Sequence, residues 1–205
     1  IAAALGANLP VEDYTGSMIV DIGGGKCEAA IISMGGIVSS KSVRIGGETM
    51  DDVIVSYIKK QYNLLIGKMT AEEMKIKLDS TNAFGKDKFL EIRGKDLVRG
   101  MPKFEKISAG EIVDVLSDII NVITETVKNT LEMAPLELSI DIMEKGIMMT
   151  GGCSLLKGLN KAVSEKTGMP VYVSEDPMDC VVMGAAKVFH SSKLIERVPL
   201  IPQRI

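Results

Sequence analysis

The sequence predicts an α/β fold in which helices layer a mixed sheet and a small α+β piece is inserted. Three observations carry that prediction. Apolar, β-branched runs at residues 18–20, 29–32 and 37–45 follow one another through glycine turns and read as two consecutive hairpins. Helical apolar periodicity around residues 50–58 and 112–131 alternates with further strand-like runs at 147–150 and 171–173. Two of the strands end in glycines, Gly23-Gly24-Gly25 and Gly151-Gly152, at the strand ends where open α/β sheets place ligands.

At 205 residues the chain is long enough for one large domain or two small ones, either with a real core. Hydrophobic residues at 46% and charged residues at 25% place it among ordinary globular proteins. A net charge of −3 with no basic block leaves no electrostatic footprint for nucleic acid, and no such partner is expected. Aromatics at 4%, with no tryptophan, argue against stacking platforms for bases. No apolar run approaches the roughly 20 residues that span a bilayer, and the N-terminus lacks the layout of a signal peptide. A cytoplasmic location is therefore expected, and Ile1 in place of a starting Met points to a longer protein. Cys27, Cys153 and Cys180, odd in number and far apart, support neither a disulfide framework nor a zinc site. His190, the one histidine, has no nucleophile motif near it and is assigned a surface or packing role.

Local signals justify the elements in order. Residues 1–5 read as the end of an alanine-rich helix stopped by Gly6 and Pro10. After the hairpins, Gly46-Gly47 feed a helix whose Met50, Val53, Ile54, Tyr57 and Ile58 share one face, and residues 63–67 end it. Thr70, with Glu73 three residues on, is the capping pair of a second helix that turns Ala71, Met74 and Leu78 inward. From residue 79 to 110, short alternating pieces at 89–94 and 104–107 are broken by Gly100 and Pro102, which predicts a hairpin inserted between helices. Ser108 caps a long helix over 111–133 with a broad apolar face. Ala134-Pro135 ends it, and a short amphipathic helix over 137–143 leads to the strand at 147–150. Ser154 then opens a helix over 155–166, stopped by Gly168 and Pro170; a strand at 171–173 and a helix over 180–190 follow, and residues 191–205 form a tail.

The residues with chemistry gather at the glycine turns. The three glycines after Asp21-Ile22 permit positive φ and leave amides without Cβ cover, so the loop can close round an anionic oxygen as a nest. Asp21 can hold a cation through water beside that anion, although a plain glycine turn with a solvated aspartate fits the same residues. Glu72 and Lys75, three apart, share a helix face, and a solvated ion pair between them is the plainer reading. Gly151-Gly152 ahead of the Ser154 helix put free N–H groups and a positive helix end toward a ligand, as a simple strand-to-helix turn also does. Gly23-Gly24-Gly25-Lys26 is not a P-loop, because a strand replaces the helix that must follow the lysine.

Taken together, Asp21-Ile22-Gly23-Gly24-Gly25, Gly46-Gly47 before a helix, Glu72-x-x-Lys75 and Thr150-Gly151-Gly152-Cys153-Ser154 resemble the second half of the actin, sugar-kinase and heat-shock chaperone ATPase superfamily. Pro10-Val11-Glu12, Ser33-Met34-Gly35-Gly36, Arg93-Gly94-Lys95-Asp96-Leu97 and Glu175-Asp176-Pro177 make the resemblance closest to the MreB/Mbl family of bacterial actins, over almost the whole chain to about Phe189. The resemblance implies an actin-like ATPase fold of ribonuclease H-like type. In it, residues 1–63 and 111–190 form the core subdomain (IIA), 64–110 the small inserted subdomain (IIB) used in filament contacts, and 191–205 the tail.

The resemblance also implies ATP or ADP with Mg²⁺ as the ligands. Gly23, Gly24 and Gly25 with Lys26 correspond to the second phosphate loop, and Asp21 to the magnesium-side carboxylate acting through water. Glu72 and Lys75 correspond to ribose contacts on a nucleotide-binding stretch with Glu73 and Met74, while Gly151, Gly152, Cys153 and Ser154 correspond to the adenosine loop. Such a protein polymerises with itself into cytoskeletal filaments that support cell shape, meets cell-shape membrane proteins, and works in the cytoplasm at the inner face of the cell membrane. The first phosphate loop is expected outside this chain, which alone is expected to be inactive. Lys26 stands where the family usually carries a threonine that helps hold the attacking water, so no catalytic residue is assigned and hydrolysis is expected to be slow. A monomeric chaperone-type ATPase or a sugar kinase of the same superfamily is the alternative.

Overall fold

The computed structural model describes residues 1–80 and 89–190, so the tail at 191–205 and the stretch 81–88 lie outside the described residues. Its main layer is a five-stranded mixed sheet in the order β3-β2-β1-β7-β8. β1 (Ser17–Ile22), β2 (Cys27–Ser33) and β3 (Gly36–Val43) form the two predicted antiparallel hairpins. β7 (Ile147–Thr150) runs parallel to β1, and β8 (Val171–Val173) parallel to β7. β1 is central and covered on both faces, which is why it reads as a continuous apolar run and not as an alternation. The β2–β3 turn falls on Met34-Gly35, both at positive φ (53° and 76°), the mirror-type turn whose twist matches that of the strands.

Helices α1 (Ala2–Gly6), α2 (Gly47–Tyr62), α4 (Ala109–Glu132), α5 (Leu136–Lys145) and α7 (Cys180–His190) lie where the sequence puts them. Ser108 caps α4 as expected, its Oγ accepting from the Gly110 amide at 3.2 Å. α1 and α7 cross at glycines: a Cβ on Gly6 would stand 1.7 Å from the Cys180 carbonyl oxygen, and one on Gly184 1.8 Å from that of Ala2.

Three local expectations are corrected. α3 (Lys68–Ser80) starts before Thr70, because the Gly67 carbonyl already accepts from the Ala71 amide at 3.2 Å. Thr70 therefore lies inside the first turn and does not cap it, and Glu73 meets Lys77 at 3.9 Å. The helix expected over 155–166 is two pieces, a 3₁₀ turn over Gly152–Leu155 and α6 (Leu159–Thr167). Leu156 is extended and Gly158 left-handed (φ 82°) between them, a conformation that suits glycine and breaks the helical run. Residues 64–65, read as the end of α2, form a strand, β4 (Leu64–Leu65), after Asn63 turns the chain in the left-handed region.

β4 pairs with β5 (Phe89–Asp96), and β5 with β6 (Pro102–Ser108), giving a separate three-stranded sheet in the inserted stretch. This small sheet does not own its core. Leu64, Met74, Leu90, Ile92 and Ile107 belong to one buried cluster with Val20, Ile54 and Ile112 of the main layer. Among the described residues, no helix is long and apolar enough to cross a membrane.

Candidate functional site

The site forms where parallel strands β1 and β7 end side by side. Asp21 and Thr150 are partners in register, and the Thr150 hydroxyl donates to Asp21 Oδ1 at 3.2 Å. Glu28 faces Asp21 from β2. Burial pushes the Asp21 carboxyl above its ordinary range and Glu28 adds to that, against the Thr150 hydrogen bond and the Lys26 charge, which favour the carboxylate. A half-buried carboxylate under that pressure gains from a cation. Among the described residues no group of three or more His, Cys, Asp or Glu could hold a metal ion. Asp21 at the strand end is a donor that a hard ion keeping most of its waters, such as Mg²⁺, would fit.

The loop after β1 closes with the Gly23 amide donating to the Lys26 carbonyl at 3.0 Å. None of Gly23, Gly24 and Gly25 adopts positive φ, so the nest expected from three glycines does not form in that way. What the glycines provide is room. Nothing lies within 4 Å of where a Gly25 Cβ would be, and the nearest atom to a Gly24 Cβ is Glu48 Oε1 at 3.4 Å. The carbonyls of Gly23 and Gly24 accept from the Gly47 and Glu48 amides at 3.0 and 2.8 Å, which satisfies two donors of the first turn of α2. The exposed amides of Gly24 and Gly25 have no partner among the described residues.

Lys75 does not pair with Glu72. Its ammonium reaches back from α3 to α2, donating to the Gly47 carbonyl at 2.9 Å and meeting Asp51 Oδ1 at 2.8 Å, with both side chains nearly buried. Glu72 and Glu73 are exposed, and Met74 turns into the core. Sequence reasoning missed Asp51; its one signal is the four-residue spacing from Gly47, which puts the Gly47 carbonyl and the Asp51 carboxylate on the same side of α2.

On the other strand end, Gly151 sits at φ 82°, and a Cβ there would meet the Ile22 carbonyl oxygen at 2.4 Å and Asp21 Oδ1 at 2.7 Å. Ser154 is buried, its hydroxyl donating to the Gly151 carbonyl at 2.7 Å. The full helix start expected at Ser154 is only the single 3₁₀ turn, so the dipole argument made for it does not hold. The Cys153 Sγ donates to the Gly23 carbonyl at 3.4 Å and joins the two loops. Burial pushes its thiol up against the pull of Lys75 and keeps it protonated. Cys27 is buried behind the loop, its thiol pushed up to about 12 by burial. Lys26 is exposed and meets Glu28 at 2.6 Å, and His190 is exposed with Nδ1 2.7 Å from the Ala186 carbonyl oxygen. The structure thus gathers residues 23–25, Lys75, Gly151, Cys153 and Asp21 around α2's first turn, and leaves the Met74 side chain out.

The profile of the MreB/Mbl protein family matches residues 1–197. This chain belongs to the MreB/Mbl family. It is 44% identical over 187 residues to the cell shape-determining protein MreB of Escherichia coli strain K12, a match that takes in 91% of this chain and 54% of the relative. To the cell shape-determining protein Mbl of Bacillus subtilis strain 168 it is 42% identical over 182 residues, 89% of this chain and 55% of the relative. The chain thus spans about half the length of the curated MreB/Mbl relatives it matches. The crystal structure of MreB5 of Spiroplasma citri bound to ADP superposes with a TM-score of 0.87 at 38% identity, over 96% of this chain and 59% of that one. MreB5 of the same organism bound to AMPPNP gives 0.86 at 38% identity, over 96% and 58%. The actin-like fold expected from the motifs is the fold of this MreB/Mbl chain, and membership separates it from the chaperone-type ATPases and sugar kinases.

Proposed function

We propose that this chain forms one wall of an adenine-nucleotide site in a protein that assembles into filaments supporting cell shape. The observation that carries this reading is the pair of amides, Gly24 and Gly25, without a partner among the described residues, on the loop that follows Asp21 at the carboxyl end of β1. Backbone donors beside a carboxylate that can hold a cation suit phosphate oxygens with their metal. The S. citri MreB5 structures, bound to ADP and AMPPNP, support a nucleotide as that ligand.

In this reading Gly24, Gly25 and Lys26 hold phosphate oxygens, and Lys75 and Glu72 meet the ribose. Residues 151–154 face the adenosine, and Asp21 holds Mg²⁺ through water. The ion supplies charge neutralisation of the phosphates. Hydrolysis is slow, because the Lys26 ammonium has no lone pair with which to orient a water.

Assembly runs through the small sheet, where Phe89 and Phe104 are 64% and 63% exposed. The protein works in the cytoplasm at the inner face of the membrane, where cell-shape membrane proteins are its further partners. Deleting the small sheet would open the shared core, so point substitutions are the sharper test. Electron microscopy and pelleting of the full-length protein with ATP should show filaments that Phe89→Ser/Phe104→Ser removes while calorimetric nucleotide binding persists. A protein that stays monomeric with ATP, or filaments that survive the double substitution, would overturn the assembly reading.

A further inference from the structure

We propose that Asp51 is a positioning residue that holds Lys75 at the nucleotide wall and thereby sets its preference for ribose hydroxyls. The inference rests on the reading of Lys75 as a ribose contact. An ammonium has three N–H donors. The Gly47 carbonyl takes up one of them at 2.9 Å, and Asp51 Oδ1 holds the charge as an ion pair at 2.8 Å without accepting a hydrogen bond, so N–H donors remain for a ligand. Both groups belong to the start of α2, where the Gly47 and Glu48 amides grip the carbonyls of Gly23 and Gly24. Lys75 arrives from α3, on the inserted side, so one buried cation fixes the ribose contact relative to the phosphate loop.

The side chains of Lys75 and Asp51 are 12% and 10% exposed, so solvent screens their attraction little, and removing the carboxylate leaves a cation that must find another partner. The same two helices carry a second ion pair, Lys68 with Asp52 at 2.7 Å, whose side chains are 62% and 57% exposed. That pair has the same connectivity and lacks both the burial and the Gly47 contact, which makes it the internal control.

The test compares affinities of the full-length protein for ADP and for 2′,3′-dideoxy-ADP by calorimetry. The native protein should prefer ADP by about tenfold, the order expected of a charge-assisted hydrogen bond. Asp51→Asn should lower that ratio to the share that Glu72 alone supplies, Asp51→Glu should retain most of it, and Asp52→Asn should leave it unchanged. Asp51→Ser gives the same reading if the Asn variant does not fold. A full preference kept in Asp51→Asn, or an equal loss of affinity for both nucleotides, would overturn the proposal, the second result marking Asp51 as merely structural. Lys75→Ala separates the two levels of argument. If it keeps the full preference, the reading of Lys75 as a ribose contact fails; if it lowers the preference while Asp51→Asn keeps it, only the role of Asp51 fails.

Discussion

Gly46 and Gly23 meet backbone to backbone: a Cβ on Gly46 would stand 2.4 Å from the Gly23 carbonyl oxygen and 2.5 Å from that of Gly24. The loop after β1 therefore keeps its place by resting on the start of α2, and the glycine this requires is Gly46, outside the loop. Gly46→Ala should push the loop off the Gly47 and Glu48 amides. Chemical denaturation should show a loss of about 1–3 kcal/mol, the usual range for forced overpacking, and nucleotide affinity should fall with it. A variant of native stability would mean the contact is softer than the geometry says.

That relationship shows where the sequence is legible and where it is not. The hairpins of β1, β2 and β3 announce themselves through β-branched runs and glycines, and the Ser108 cap through its position before a 3.6-residue period. β4 does not, because two leucines carry no periodicity and their partners, Lys95 and Asp96, lie some thirty residues on. The motif residues of the site could be named, yet the motifs say nothing of Asp51, nor that Lys75 turns to it and away from Glu72. Those facts come from the docking of α3 on α2, which no local window contains.

Glu111 accepts hydrogen bonds from Tyr62 and Tyr57 at 2.6 and 2.8 Å and ties α4 to the end of α2. The Tyr62 bond, helped by Tyr57, holds its carboxyl below the ordinary value of 4.5 against the opposing effect of burial. A folded-state pKa lowered in this way contributes stability that is present above the unfolded value and is lost as pH falls through the folded one. Urea melts should therefore show the native chain losing stability as the pH drops below 4.5, and Glu111→Gln should flatten that acid limb. Parallel acid limbs for the two proteins would assign the pH dependence to other carboxylates.

Lys26 meets Glu28 at 2.6 Å on the exposed side of the loop, where a hydroxyl is expected to hold water. Misplacing a reacting group by about 1 Å costs around 10²-fold, so positioning outweighs the charge the lysine adds. Lys26→Thr in the full-length protein should raise steady-state phosphate release by about tenfold or more at saturating nucleotide. A variant no faster than its parent would place the water on another group.

In the proposed site the loop after β1 grips phosphate through bare backbone. Gly24 and Gly25 are suited to test it, because neither has positive φ. The nearest atoms to a Cβ at Gly24 all belong to the flexible Glu48 side chain, the closest at 3.4 Å, and one at Gly25 meets nothing within 4 Å. The fold therefore tolerates a side chain at either position, and the side chain fills the space beside the loop amides that the proposal gives to phosphate. The decisive measurement is calorimetric titration of Mg-ADP into the full-length protein and into Gly24→Val and Gly25→Val, with melting curves to confirm folding. Both variants should melt like the parent and bind about tenfold or more weakly, the order of a lost charge-assisted hydrogen bond; folded variants that bind Mg-ADP as tightly as the parent would contradict phosphate binding by this loop.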